Sequence, residues 1–538
     1  MTTQSDAVST RLGGSAVVEQ LVREGVEVVF GIPGVQLMHI LDSLHHGADK
    51  IRYITVRHEQ ATAFMADGYA RVSGRPGTTL IVPGPGVYNA GSGLATAYAA
   101  SSPVFQISGQ INRDAIGQGH SLPHEVHDQL DVVRPITKHA ERITDADQLP
   151  GAVRRAFAAM TSGRPRPAHL EIPPETMGEP TGAPLIDPVA PEPRRPDPEL
   201  VAQAALLLAE ADHPLLVVGG GAHGAAHVLR ELQHHLQAAT ISTREGKGVI
   251  DGRDPAAIGT LFVHQRLAPV IADADVVLAV GTRLQGVGLG DRHRLIHLDV
   301  DPAEIGRFTS PEVPLVGDAE VGAADLLDAL RQCSDPRADR SAEWREARQQ
   351  VDTAHRAAGP QAAIVEALRD GLPVDAILAV DATMVGYMCH MYLPIARPRS
   401  YLTSSYMGTL GFAMNMALGA KVAAPERPVV SINGDGGFLF ASNELATAIQ
   451  CDIPTVHIVV NDNGYGNTRL DQELNYGGRL LGTELHNPDL VKYAESFGCA
   501  ATRVVDNDGL RSAVREMIAE DRPAVVELVI DPLPTNGF

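Results

Sequence analysis

The sequence predicts an α/β protein of three doubly wound domains, each a parallel sheet covered on both faces by helices. Three observations carry that prediction. Short apolar runs rich in β-branched residues alternate with helical stretches along the chain, as at Val26–Phe30, Thr79–Val82, Leu215–Val218 and Val276–Val280. Parallel strands joined by crossover helices read this way. At 538 residues the chain is too long for a single core. Two breaks then divide it into three stretches of ordinary domain size.

Taken in order, the first domain spans 8–180 and ends in a proline-rich stretch from Pro173 to Pro198. There Pro180, Pro184, Pro188, Pro191, Pro193 and Pro196 forbid a continuing helix and favour an extended linker. The second domain covers 195–335. A charged stretch of helical character, Ser334 to Arg356, separates it from the third, 358–538.

With 44% hydrophobic residues the composition is that of a globular protein. No apolar run reaches the roughly 18 residues a spanning helix needs. The segment Met1–Asp6 lacks the basic and apolar regions of a signal peptide, so a cytoplasmic address is expected. A net charge of −21 argues against nucleic acid and anionic membranes as partners, since both require a basic footprint. Cys333, Cys389, Cys451 and Cys499 are widely spaced, which speaks against a disulfide framework or a zinc knuckle and for small core residues.

The most informative motif is Gly434-Asp435-Gly436-Gly437, followed 27 positions after Asp435 by Asp462 in Asn461-Asp462-Asn463-Gly464. The intervening segment reads as a helix and then an apolar strand, which puts both acids at strand ends on one sheet edge. Two carboxylates and a carbonyl form an oxygen shell suited to Mg²⁺, a cation that prefers to share phosphate oxygens over an all-protein cage. A phosphorylated ligand is therefore expected, facing the N–H groups of a helix opening at Ser442-Asn443-Glu444. A bare Gly-Asp-Gly could equally serve a tight turn; the second acid at this spacing favours the metal.

The outer domains read as copies of one another. Val82–Gly86 aligns with Ile432–Gly436 at an offset of 350, and Leu94-Ala95-Thr96-Ala97 recurs as Leu445-Ala446-Thr447-Ala448 at 351. Each copy then has a proline and an apolar strand, Pro103–Ile107 and Pro454–Ile458. Pro85 stands in the first copy where Asp435 stands in the other, so only one copy can hold a metal.

A metal-diphosphate domain, a metal-free sister and a middle domain together resemble the thiamine-diphosphate-dependent enzymes of the acetolactate synthase and pyruvate decarboxylase group. The resemblance covers nearly the whole chain and implies pyrimidine-binding, middle and diphosphate-binding domains. It assigns Mg²⁺ to Asp435, Asp462 and the carbonyl of Gly464, with Gly436 and Gly437 against the diphosphate. Where the family usually has asparagine this chain has Asp462, whose added charge should tighten the metal and leave less positive charge for the diphosphate.

In the sister domain, Arg57-His58-Glu59-Gln60-Ala61 looks like the family segment whose glutamate hydrogen-bonds N1′ of the aminopyrimidine. Proton exchange there lets the 4′-nitrogen remove the thiazolium C2 proton, and apolar neighbours such as Ala61, Ala63, Phe64 and Met65 are expected to keep the Glu59 proton available. A glutamate opening a helix also complements the dipole. The metal motif in the same chain favours catalysis. Ser405–Phe412 is similar to the loop that bends the cofactor, with the Gly408 carbonyl on the 4′-amino group and Leu410 between the rings. Pro33, within Gly31–Gly34, and Asn89 match positions near the aminopyrimidine, and Gln110 one near the reacting carbons.

His120, His124, Glu125 and His127 crowd a segment whose family counterpart borders the substrate. Acetolactate synthases carry phenylalanine near 127 and lysine near 174, where this chain has His127 and Pro174; these departures suggest a different or more polar 2-oxo acid or acceptor. The turn Gly219–Gly224 fits Gly-x-Gly-x-x-Gly and admits FAD. The chain nevertheless has Gly281–Gly286 in place of the arginine-phenylalanine-aspartate stretch of FAD-holding relatives, so FAD is not favoured. The resemblance implies decarboxylation of a 2-oxo acid followed by carboligation, with simple decarboxylation to an aldehyde as the alternative. It pairs Glu59 with Asp435 of another subunit, making a homodimer the smallest active unit and a homotetramer the commoner state.

Overall fold

The computed structural model describes residues 11–262, 264–535 and 537; the Met1–Asp6 segment and the expected domain start at residue 8 lie outside them. Twenty strands are present among the described residues. Strand β1 (Arg11–Leu12) pairs antiparallel with β8 (Pro180–Thr181). The other eighteen form three six-stranded parallel sheets flanked by helices.

The first sheet contains β2 (Val28–Gly31), β3 (Arg52–Thr55), β4 (Gly77–Ile81), β5 (Val104–Gly109), β6 (His139–Arg142) and β7 (Ala168–Ile172), ordered β3-β2-β4-β5-β7-β6. Strands β2, β4, β5 and β7 are buried along their whole length, as expected of a parallel sheet covered on both faces, and polar residues such as Gln106, Ser108, His169 and Glu171 are buried with them. The second sheet contains β9 (Leu215–Val218), β10 (Ala239–Thr243), β11 (Ala257–Leu261), β12 (Val276–Val280), β13 (Arg294–Asp299) and β14 (Val313–Val316), ordered β11-β10-β9-β12-β13-β14. The third contains β15 (Ile377–Val380), β16 (Tyr401–Leu402), β17 (Val429–Gly434), β18 (Val456–Asn461), β19 (Ala500–Val504) and β20 (Ala524–Val529), ordered β16-β15-β17-β18-β20-β19.

The first and third sheets share one strand order, so the repeat seen in the sequence is a repeat of topology. The middle sheet has a different order, that of a dinucleotide-binding fold. Its glycines have a packing explanation of their own. A Cβ on Gly219 would stand 2.1 Å from the Gly281 carbonyl oxygen, and one on Gly221 would stand 2.9 Å from the Gly281 Cα. The motif therefore satisfies close contact between two loops and is not in itself a sign of a bound dinucleotide.

The chain forms two compact units. One comprises the chain up to Pro191 with Leu418–Ala424 and Asn443–Ile453; the other holds the remainder, including the second and third sheets. In the first unit, one sheet face packs Val17, Leu21, Ile40, Phe105, Phe157 and their neighbours. The other packs Phe30, Met65, Leu94 and Ala97 with Leu418, Ala448 and Ile453. Gly419 belongs to this packing, because a Cβ there would lie 1.9 Å from the Met65 carbonyl oxygen.

Three expectations need adjustment. The proline-rich stretch is not extended throughout: Pro174–Gly178 is a short helix and Pro180–Thr181 a strand, and only then does regular structure stop. The charged segment becomes the helix Ser341–Arg356, whose Trp344 and Val351 enter the core of the middle sheet while the Trp344 indole donates to the Gln237 carbonyl at 3.0 Å. Of the cysteines, Cys389 and Cys499 are buried, Cys451 is half-buried, but Cys333 is exposed; all four are free thiols.

Candidate active site

In the second unit, β17 and β18 are neighbours in parallel register, and Asp435 and Asp462 directly follow them. Both acids therefore reach the same C-terminal sheet edge, beside the point where strand order reverses between β15 and β17 and ligands bind in open α/β sheets. The helix after β17 begins at Asp435 and runs to Ala441, not at Ser442 as expected, because Gly434 already ends the strand and Gly436-Gly437 turn directly into helix.

Asp435 is 2% exposed. Its Oδ1 accepts from the Gly436 N–H at 2.9 Å, and its Oδ2 from the Gly464 N–H at 3.0 Å and the Asn487 side chain at 2.6 Å. Burial pushes its pKa up and these bonds, Asn487 foremost, oppose the shift. Asp462 is also raised, chiefly by burial, with Asp435 adding to the effect and Arg469 opposing it. The Arg469 guanidinium donates to Asp462 Oδ2 at 2.5 Å. The loop after Asp462 is fixed by Tyr465 N–H to Thr483 O at 2.9 Å and Leu485 N–H to Asn463 O at 2.9 Å.

Among the described residues no group of three or more His, Cys, Asp or Glu forms an all-protein cage. Two carboxylates whose raised pKa values a cation would reverse, together with a nearby carbonyl at Gly464, are a hard-oxygen donor set that fits Mg²⁺ shared with phosphate oxygens.

Asp381, which the sequence reading missed, stands at the end of β15 and is fully buried. Its carboxylate accepts from the Ala382 N–H at 2.8 Å and, through Oδ2, from the Gly411 N–H at 3.0 Å. A Cβ on Gly437 would sit 2.7 Å from that same Oδ2 and 3.4 Å from Leu410 Cδ1. Asp381 thus fastens the loop carrying Gly408 and Leu410 to the end of β15, close against Gly437, and burial raises its pKa to about 7. Gly408 is exposed in the left-handed region at φ 65°, and Leu410 is half-buried.

In the first unit, Glu59 opens the helix Glu59–Ser73, and the Asn89 amide donates to its Oε2 at 2.9 Å. The apolar residues expected to surround it, Ala61, Ala63 and Met65, point into the core instead, and the carboxyl is half-exposed in this chain. The preceding turn is held by Glu444, whose buried carboxylate accepts from the Arg57 N–H at 3.0 Å and the His58 N–H at 2.9 Å.

Pro33 is exposed on the loop after β2, and Gln110 is buried just after β5, both at the C-terminal edge of the first sheet. The Gln110 amide donates to Glu171 Oε1 at 3.2 Å, and its oxygen accepts from Ile111 N–H at 2.7 Å. Gln129 shares Glu171 through a 2.9 Å bond and accepts from the Gly84 N–H at 2.8 Å. The His120–His127 segment also reaches this edge, since a Cβ on Gly84, at φ 59°, would lie 2.6 Å from the His124 carbonyl oxygen. Within the segment Glu125 accepts the Leu122 and His120 N–H groups, which lowers its pKa, while His120 and His127 are exposed.

Comparison with known proteins agrees with this arrangement. Residues 11–132 match the N-terminal TPP binding domain of thiamine pyrophosphate enzymes, 201–330 their central domain and 381–528 their C-terminal TPP binding domain. A probable acetolactate synthase large subunit of Methanocaldococcus jannaschii is 35% identical, over 97% of this chain and 92% of that protein. A probable 2-ketoarginine decarboxylase of Pseudomonas aeruginosa is also 35% identical, over 96% and 94%. The isozyme 3 large subunit of acetolactate synthase from Escherichia coli is 31% identical, over 96% and 95%. With three domains matched in order and relatives aligned over almost their full length, the chain belongs to the thiamine pyrophosphate enzyme family.

Proposed function

We propose that the protein is a thiamine-diphosphate- and Mg²⁺-dependent enzyme that decarboxylates a 2-oxo acid and joins the remaining carbons to a second carbonyl compound. The observation that carries this reading is the pair Asp435 and Asp462 on neighbouring strand ends, with the Gly464 loop hydrogen-bonded back to Asp435. Asp435, Asp462 and the Gly464 carbonyl would hold the metal. Gly436 and Gly437 would leave room for the diphosphate, and Gly408 and Leu410 would orient the rings. Bound thiamine diphosphate supplies an electron sink for the carbanion left when CO₂ departs.

Glu59, its carboxyl group held by the Asn89 amide, would exchange a proton with the aminopyrimidine. Pro33 would border the ring, and Gln110, already tied to Glu171, would serve the substrate side from a fixed position. In this reading Glu59 of one protomer works with Asp435 of another. The minimal unit is a homodimer, assembled further into a homotetramer. Exposed Val35, Met38 and Tyr88 in one unit, and Tyr406, Leu474 and Leu481 in the other, are apolar surface suited to such contacts.

A second reading, decarboxylation ended by protonation to an aldehyde, is favoured by exposed His120 and His127 on the segment that reaches the C-terminal edge of the first sheet, since ending the reaction that way needs an acidic group nearby. The 2-ketoarginine decarboxylase relative makes a 2-oxo acid with a cationic side chain a candidate substrate. Product analysis decides between the readings: pyruvate, 2-oxobutyrate and 2-ketoarginine are each supplied with cofactor and Mg²⁺. A coupled hydroxy-ketone product supports carboligation, and aldehyde alone refutes it.

A further inference from the structure

We propose that Arg469 is a working part of the cation site, neutralising Asp462 so that the Asp462–Arg469 pair presents the charge of an amide and the donor strength of a carboxylate. The inference rests on the reading of Asp435 and Asp462 as metal ligands and adds to it a residue that acts through Asp462. Three observations support it.

The ion pair is close and shielded: Arg469 Nη2 lies 2.5 Å from Asp462 Oδ2, with side chains 10% and 11% exposed. Attraction at such a site is stronger than in water, and removing either partner strands a charge. The loop is also shaped around the pair. A Cβ on Gly464 would meet Arg469 Nη1 at 2.8 Å, and one on Gly466 would meet Asp462 Oδ2 at 2.8 Å. Both glycines leave space that the charged groups fill. Finally, Arg469 is held independently of Asp462, since it belongs to the helix Gly466–Asn475 and its N–H donates to the Tyr465 carbonyl at 2.9 Å.

The electrostatic consequence follows by counting. Asp435 and an uncompensated Asp462 would cancel a divalent cation and leave nothing to attract a diphosphate. With Arg469 beside it, the site keeps one net positive charge when the cation binds, as it would with an amide at position 462. Arg469 holds Oδ2, so Oδ1 is the oxygen assigned to the cation. Without this compensation, aspartate should help metal binding and hinder cofactor binding.

The test is a double-mutant cycle on the full-length, cofactor-free protein with Asp462→Asn, Arg469→Met and both together. Calorimetry measures Mg²⁺ alone, then thiamine diphosphate at fixed Mg²⁺. Arg469→Met alone should weaken thiamine diphosphate binding about tenfold or more without weakening Mg²⁺ binding; combined with Asp462→Asn it should return within about threefold of wild type. Arg469→Lys, which keeps the charge, should stay close to wild type and guards against a variant that fails to fold. Equal losses from Arg469→Met with and without Asp462→Asn would overturn the proposal and leave Arg469 a packing residue. Wild-type protein that takes up no thiamine diphosphate would instead overturn the cofactor reading beneath it.

Discussion

Asp381→Asn isolates the electrostatic cost of tying down the Gly408–Leu410 loop. Burial raises the Asp381 pKa from 3.8 to about 7. The folded protein thus binds this proton more tightly than the unfolded chain does. The associated stability is fully present below pH 3.8, falls as pH rises through the interval, and is gone above pH 7. A shift of about 3 units at roughly 1.4 kcal/mol each sets a ceiling of about 4 kcal/mol on the whole change. Asparagine has no proton to lose, so the variant lacks this dependence. It also turns its amide NH₂ toward either the Ala382 or the Gly411 N–H, an offset of about 1–3 kcal/mol that pH does not alter.

The measurable quantity is therefore a difference of differences. Between pH 5 and pH 8 the variant should gain on wild type by up to roughly 3 kcal/mol, whatever its starting handicap. Whole-chain denaturation would mix three domains, so the assay is hydrogen exchange on peptides covering β15 and β17, read as local opening free energy in cofactor-free protein. An identical gap between variant and wild type at the two pH values would refute the claim that Asp381 is a buried, desolvated carboxyl group.

Two further outcomes are expected. Glu59→Gln should lower kcat by about 10²-fold or more while leaving thiamine diphosphate affinity within a few-fold, because the amide keeps a hydrogen bond but cannot exchange the proton; deuterium exchange at the cofactor C2 position, followed by NMR, locates the defect at that step. Gly419→Ala places a methyl group 1.9 Å from the Met65 carbonyl oxygen, a clash with backbone that cannot swing aside. A loss of about 3 kcal/mol is expected from such overpacking, read as a lowered melting temperature.

Local chemistry decided how much of this was legible in advance. A strand-end acid flanked by glycine announces itself, since a carboxylate, a forced turn and an apolar run must be contiguous; Asp435 stands out that way, and Asp462 by its spacing from Asp435 after a second apolar strand. The repeat was legible because a turn, a helix and a strand recur in order at a nearly constant offset, and the two outer sheets do share one strand order. The side chains that complete the site come from elsewhere in the sequence. Asn487 reaches Asp435 from 52 positions away and Gln129 reaches Glu171 from 42, with no local pattern to mark either.

Asp381 did carry a signal, an acid directly after the apolar run Ile377–Val380, but without flanking glycine it looked like any strand end. Arg469 is the most instructive case. Seen along the chain, Asp462 is an extra negative charge at a site that must attract a diphosphate, and the arginine seven residues on is one basic residue among many. The helix starting at Gly466 turns that spacing into a 2.5 Å contact, and the charge carried by one ligand becomes a property of the pair. A departure at one ligand position therefore has to be judged with the residue that faces it, and only the fold reveals which residue that is.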